Sequence, residues 1–311
     1  MIDIVFHVTV SSNSVGYLRY MLANYRNLAD RPERLKFHAY SLDWISGLML
    51  GRNFGIDALT KLPYARGSSG HATAVQAALR NTDATAIHVI ADSDTVIFAK
   101  GWDTLLAEAV GPDGQYGMIG APYEDTGSVN AGDTPYQQYK KKPTAAWLAL
   151  SPRFDFRSLE VMPDKKNFIE IADDKLSDTF QMPRGSFVVK DVGWQIPMFL
   201  KQHAIPYAVF DLLLPTDKSA VALKGTSSYH HEFHWHSAPY LAHQRGSMKH
   251  RFRIDPLSVD FYDACDRFLG QPGWRVGPIL MDRAVAPFQN VYRQAEHMAK
   301  AVLKPAKTLK P

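Results

Sequence analysis

Ala86-Ile87-His88-Val89-Ile90-Ala91-Asp92-Ser93-Asp94 decides how the chain is read. The run from Ala86 to Ala91 is apolar apart from His88, short, and closed by a polar turn. That pattern predicts a strand buried on both faces, as in a parallel sheet. Two aspartates one residue apart follow at its carboxyl end. In open α/β sheets ligands gather outside the carboxyl ends of strands. Paired carboxylates there are ligands for a hard divalent cation, which in turn bridges to diphosphate oxygens. The same triplet also fits a plain turn in which Asp92 caps Thr95 or its neighbours.

Upstream, residues 2–10 are a second apolar run rich in β-branched residues, and Val15 to Leu28 carries Leu18, Met21, Leu22 and Tyr25 at helical spacing. Leu35 to Leu42 reads as a strand. Gly67-Ser68-Ser69-Gly70 reads as a flexible loop before an alanine-rich helix from His71 to Arg80. Strand, helix and strand in alternation predict a parallel α/β sheet.

Downstream, a helix is expected from Trp102 to Val110, stopped at Gly111-Pro112. A strand is expected over Tyr116 to Ala121, then a long polar loop from Tyr123 to Pro143 that suits an acceptor-side or lid loop. Ala145 to Leu150, Phe168 to Ile171, Ser186 to Val189 and Tyr207 to Leu214 read as strands. Gly193 to His203 reads as a helix that Pro197 forces to start late or kink. Asp255-Pro256 is an N-cap and N1 pair for a helix ending at Gly270, and Gln289 to Leu303 gives a last helix. The fold class expected is α/β, a mixed sheet flanked by helices, with residues 1–255 as the main domain and 256–311 as a C-terminal helical extension.

The 311 residues, 46% hydrophobic and 21% charged, exclude disorder, collagen and coiled coil as the main architecture. One cysteine, Cys265, excludes a disulfide framework and a thiolate-cage zinc site within one chain. No run approaches the ~18 apolar residues of a membrane span, and the N-terminus reads as a strand rather than a basic leader. A cytoplasmic location is expected, with the basic tail (Lys300, Lys304, Lys307, Lys310) offering contact with the inner face of a membrane. A net charge of +4 is too small to predict a stable nucleic-acid partner.

Three further groups can carry chemistry. Six of the 12 histidines lie between His230 and His250. A zinc-protease motif fails here because it needs a histidine three residues after Glu232, where Trp235 stands. Strand alternation would instead put His234 and His236 on one face as a His-only metal site, or leave an aromatic, hydrogen-bonded strand. His243-Gln244-Arg245-Gly246-Ser247-Met248-Lys249 is an H-x-x-G-x-x-K string that offers an imidazole, close backbone approach and a phosphate-binding lysine. Asp191 is a carboxylate placed to serve as a base toward a hydroxyl, or simply to cap the helix of Trp194 and Ile196.

Taken together, these features resemble a GT-A glycosyltransferase of the broad family 2 kind, over roughly residues 1–255. The resemblance rests on the glycine-alanine helix at 70–79, the buried strand, Asp92-Ser93-Asp94 and the following Gly101-Trp102. The H-x-x-G-x-x-K string is similar to the C-terminal motif of family 8. The resemblance implies Asp92, Asp94 and His243 as ligands of Mn²⁺ or Mg²⁺, with Lys249 on the donor diphosphate. It further implies donor contacts at Asp92, Thr9, Val10 and Asp43, a nucleotide-diphosphate sugar donor (UDP-sugar foremost), and a glycan, lipid-linked or other hydroxyl acceptor. The family's arginine in the glycine-alanine helix is replaced by Ala74-Val75-Gln76, and its Glu-Asp pair appears only as Lys190-Asp191. Three alternatives stand beside this reading. A nucleotidyltransferase would carry a glycine-rich basic loop where Ser11-Ser12-Asn13-Ser14 lies. A non-catalytic nucleotide- or carbohydrate-binding protein would use the abundant aromatics. A metal hydrolase would use the histidine stretch.

Overall fold

In the computed structural model, the described residues are 2–270 except residue 13 and segments 51–53, 64–66, 123–128, 132–133, 137–140, 165–166, 214–229 and 245–255. The first half alternates as expected: β1 (Asp3–Val10), α1 (Val15–Leu28), β2 (Leu35–Ser41), α2 (Trp44–Met49), β3 (Ala58–Lys61), α3 (Gly67–Arg80) and β4 (Ala86–Asp92). Then come β5 (Thr95–Ile97), α4 (Trp102–Val110), β6 (Met118–Gly120), β7 (Val129–Ala131), β8 (Thr134–Tyr136) and β9 (Trp147–Leu150). They are followed by β10 (Phe168–Glu170), α5 (Asp174–Phe180), β11 (Phe187–Val189), α6 (Ile196–Gln202), β12 (Tyr207–Val209) and β13 (Asp211–Leu213). The last described elements are β14 (His230–Trp235), β15 (Ala238–Gln244) and α7 (Pro256–Leu269).

Seven strands form a mixed central sheet in the order β12-β6-β9-β4-β1-β2-β3. Only β9 runs against its neighbours, β4 and β6. The expected mixed α/β sheet flanked by helices is the architecture observed. Period-two alternation divides β4 between two cores. Ile87, Val89 and Ala91 meet α1 and α4 residues such as Met21, Tyr25 and Trp102. On the other side, Ile90 meets α3 and α6 residues such as Val75, Leu79 and Phe199. A strand covered on both faces is apolar except where a buried polar side chain is hydrogen-bonded, and this is why Ala86–Ala91 is apolar but for His88, whose ring bonds to His7 and Asp83 N.

Several expectations needed correction. Gly67 to Gly70 is the first turn of α3 rather than a loop. Tyr207 to Leu214 is two strands: β12 joins the central sheet, and β13 joins a second, antiparallel sheet of order β13-β14-β15-β5. The break falls at Phe210, whose buried ring sits among Trp147, Phe233, Trp235 and Tyr240 and whose N–H donates to Gly120 O at 3.1 Å. Helix α6 does start late, as Pro197 required, with Pro197 in its first turn, where the missing N–H costs nothing. The Tyr123–Pro143 loop contains the β7–β8 hairpin. Helix α7 ends before Gly270, which takes φ +64°. Lys249, the basic tail and the helix expected over Gln289–Leu303 lie outside the described residues. Among the described residues, no helix is long and apolar enough to cross a membrane.

Candidate metal and donor site

The parallel register brings the carboxyl ends of three strands together, with Thr9 of β1 beside both Tyr40 of β2 and Asp92 of β4. At the end of β4 the chain turns through Ser93 and Asp94 and enters β5. Four buried side chains hold that turn. Asn24 of α1, fully enclosed, donates to Ile97 O at 3.1 Å and accepts from Ile97 N at 2.7 Å. Thr95 Oγ1 donates to Asp92 O at 2.9 Å. Because its proton is spent there, Thr95 Oγ1 accepts from Tyr25 Oη at 2.9 Å. Trp147 Nε1 donates to Tyr25 Oη at 3.3 Å.

β15 pairs antiparallel with β5, setting His243 opposite Thr95, and Gln244 N donates to Asp94 O at 3.1 Å. The second sheet thus carries an imidazole from far along the chain to the aspartates. His243 Nε2 lies 3.2 Å from Asp94 Oδ1 and 3.5 Å from Asp92 Oδ2. One ligand atom from each of Asp92, Asp94 and His243 falls within 4.8 Å of the others. Two carboxylate oxygens and an imidazole nitrogen form a donor set for a divalent cation.

A fourth side chain reaches the cluster. His71, one turn into α3, places Nε2 at 3.2 Å from Asp92 Oδ1. Burial works against charge on Asp92, but His71 and then His243 overcome it and hold the carboxyl below the usual carboxylate range. Burial likewise opposes charge on His71, and Asp92, with Asp191 and Asp94 beyond it, raises the imidazole above its ordinary value. The sequence reading passed over His71. No motif marks it in the sequence.

The remaining expected residues divide. Asp191 adds its charge to that of Asp92 in raising His71. It does not cap α6, whose N-cap is Gln195; instead its Oδ1 accepts from Val192 N at 2.8 Å and its carbonyl accepts from Trp194 N at 3.1 Å. Gln76 of α3 holds the neighbouring segment, donating to Leu159 O at 3.0 Å and accepting from Val161 N at 3.1 Å. Val161 O in turn accepts from Gly193 N at 3.0 Å, which ties the Asp191 turn to α3. Val10 is fully buried, so its side chain is spent on the core. Asp43 caps α2, accepting from Ser46 N at 2.7 Å and from Ser12 N at 2.8 Å, and so joins the loops that follow β1 and β2. His234 bonds to buried Glu232, while His236 lies in the β14–β15 turn with φ +50°. Those two histidines therefore do not make the expected His-only site.

No family model matches the sequence, and no curated protein does. Among solved structures, the chain aligns with S. aureus TarS 1–349 at 12% identity over 67% of this chain, TM-score 0.34. It spans 60% of that chain's length. It also aligns with the galactosyltransferase LgtC in complex with donor and acceptor sugar analogs, at 12% identity over 88% of this chain and 97% of that one, TM-score 0.43. A third match is TarS 1–349 in complex with UDP-GlcNAc, at 13% identity over 68% of this chain and 59% of that one, TM-score 0.33.

Proposed function

We propose that the chain is a metal-dependent glycosyltransferase of the GT-A kind, moving a sugar from a nucleotide-diphosphate sugar, UDP-sugar first, to an acceptor hydroxyl. One observation carries this reading: Asp92, Asp94 and His243 converge from two sheets at the carboxyl ends of the parallel strands. Oxygen and imidazole ligands without thiolates suit Mn²⁺ or Mg²⁺. Such a cation, when bound, supplies positive charge to a departing nucleotide diphosphate.

The chain's own residues supply the rest. Asp92, Asp94 and His243 hold the cation, His243 through an unprotonated Nε2. Lys249 adds a second positive charge against the diphosphate. Thr9, Val10 and Asp43 flank the donor base, Val10 through its backbone because its side chain is buried. Asp191 takes the proton of the acceptor hydroxyl if the transfer inverts. A glycan or lipid-linked acceptor accords with the basic tail, which would rest on an anionic membrane surface.

The test is a thermal-shift panel of UDP, GDP, dTDP, CDP and CMP with and without Mn²⁺, followed by assay of UDP release from UDP-sugars. A ligand at 100 times its Kd stabilises by about 2.7 kcal/mol, a shift of a few degrees for a chain of this size. The expected result is stabilisation by UDP only with Mn²⁺, together with Mn²⁺-dependent UDP release. Nucleotide binding without turnover of any donor supports the binding-protein alternative. Tight metal retention with no nucleotide effect supports the hydrolase.

A further inference from the structure

We propose that His71 is a positioning residue for Asp92, fixing the orientation in which its carboxylate presents an oxygen to the cation; this deepens the metal-dependent reading above and rests on it.

The two oxygens of Asp92 have different partners. Oδ1 lies 3.2 Å from His71 Nε2, and Oδ2 lies 3.5 Å from His243 Nε2. The backbone of Asp92 is already fixed on both sides: its N–H donates to Ala146 O at 3.0 Å, and its carbonyl accepts from Thr95 Oγ1 at 2.9 Å. What the strand leaves to side-chain contacts are the two side-chain torsions, of which the terminal one is broad and nearly two-fold for aspartate. Unrestrained, the carboxylate could rotate so that its plane, rather than an oxygen, is turned toward His243 and Asp94. The contact of His71 with Oδ1 removes that freedom and leaves Oδ2 toward His243.

The element that brings His71 is suited to the task. On α3, Ala72, Ala74, Val75 and Ala78 are buried, and Gln76 is bonded at both ends of its amide to the 159–161 segment. The imidazole is therefore carried by a rigid helix rather than a loop. Partners that orient a ligating carboxylate in this way are typically worth about 10- to 100-fold in metal affinity.

The test is Mn²⁺ binding to the full chain without nucleotide, followed by the electron paramagnetic resonance signal of free Mn²⁺. His71→Ala is expected to weaken binding about 10- to 100-fold. His71→Gln, whose amide N–H can replace Nε2 as donor to Oδ1, is expected to recover affinity to within about threefold of the parent. In an Asp92→Ala background, adding His71→Ala is expected to cost nothing more, because a positioning residue acts only through the group it positions. Unchanged affinity in His71→Ala, or a full further loss in the Asp92→Ala background, overturns the proposal; the latter makes His71 a direct ligand. Asp94→Ala separates the two levels. If it abolishes Mn²⁺ binding while His71→Ala does not alter it, positioning alone fails. If neither alters it, the metal reading fails and takes the positioning role with it.

Discussion

Acidification should destabilise the protein through one buried histidine, and the size of the effect follows from a hydrogen-bond chain. Asp83 N donates to His88 Nε2 at 3.0 Å, so the proton of His88 sits on Nδ1. That proton is donated to His7 Nε2 at 2.8 Å, and His7 Nδ1 then donates to Tyr40 Oη at 3.0 Å. Tyr40 passes its own proton toward His38 Nδ1 at 3.4 Å, and His38 Nε2 donates to Thr60 Oγ1 at 2.7 Å. All three rings are neutral in this arrangement, and an added proton at His7 would set two donors against each other. Burial foremost, then repulsion from His88 and His38, lowers His7 from 6.5 to about 3, with only Asp83 opposing. His7 is 2% exposed, so solvent screens little of this. The unfolded chain takes up the proton below pH 6.5 and the folded one only near 3, so stability is complete above 6.5 and is lost as pH falls between those values. At about 1.4 kcal/mol per pH unit, His7 alone removes about 2–3 kcal/mol between pH 7 and 4.5. Urea unfolding of the parent and of His7→Gln, which keeps a donor and an acceptor but cannot titrate, measures it. The variant should be less stable at pH 7 yet lose about 2–3 kcal/mol less on acidification. Parallel pH curves for the two proteins would refute the argument.

Two other substitutions probe the scaffold under the site. Asn24→Ala removes both bonds to Ile97 in a fully buried place and should cost about 2–4 kcal/mol by urea unfolding, with weaker Mn²⁺ binding because β5 leads from Asp94 to the partner of His243. A loss under about 0.5 kcal/mol would show that β5 is held by other means. Gly101 takes φ +71°, and a Cβ there would stand 2.7 Å from Asp30 Oδ2, so Gly101→Ala should cost about 1–3 kcal/mol. Combining it with Asp30→Ala should relieve the clash but not the backbone strain, a partition that melting temperatures of the single and double variants can read.

What could be read from sequence was what is encoded locally. Helices α1 and α4 run from Val15 to Leu28 and from Trp102 to Val110 as their apolar spacing and stop signals predict. The strand before Asp92 is legible because burial on both faces leaves it apolar but for His88, which is hydrogen-bonded on both ring nitrogens. Gly67 to Gly70 misled because its composition favours a loop, whereas Gly70 is buried in the opening turn of α3 and packing overrides propensity. The switch of sheets at Phe210 was invisible, since it depends on an aromatic cluster assembled from three other strands, β9, β14 and β15. In the site, Asp92, Asp94 and His243 were each named by motif, but nothing local says that β15 pairs with β5 and so brings them together. His71 carries no motif at all and becomes visible only beside Asp92.

The same pairing bears on the expected boundary between 1–255 and 256–311. On the side away from Leu241 and Ile97, β5 and β15 present Val96 and Ala242 to α7, where Phe261, Tyr262, Ala264 and Cys265 are all buried. Tyr20 of α1 also donates to Asp266 at 2.7 Å. Burying a large side chain contributes about 1.5–3 kcal/mol, so Phe261 and Tyr262 together supply roughly 3–6. That is a large share of the ~5–15 kcal/mol by which a domain is stable. A chain cut after residue 255 would leave the β5–β15 pair open on one face, and this pair is what holds His243 against Asp94. The cut should therefore lower the melting temperature by many degrees and weaken Mn²⁺ binding together, without touching a ligand. If 1–255 instead melts and binds Mn²⁺ like the full chain, the extension is dispensable and the boundary at 255 separates two independent parts.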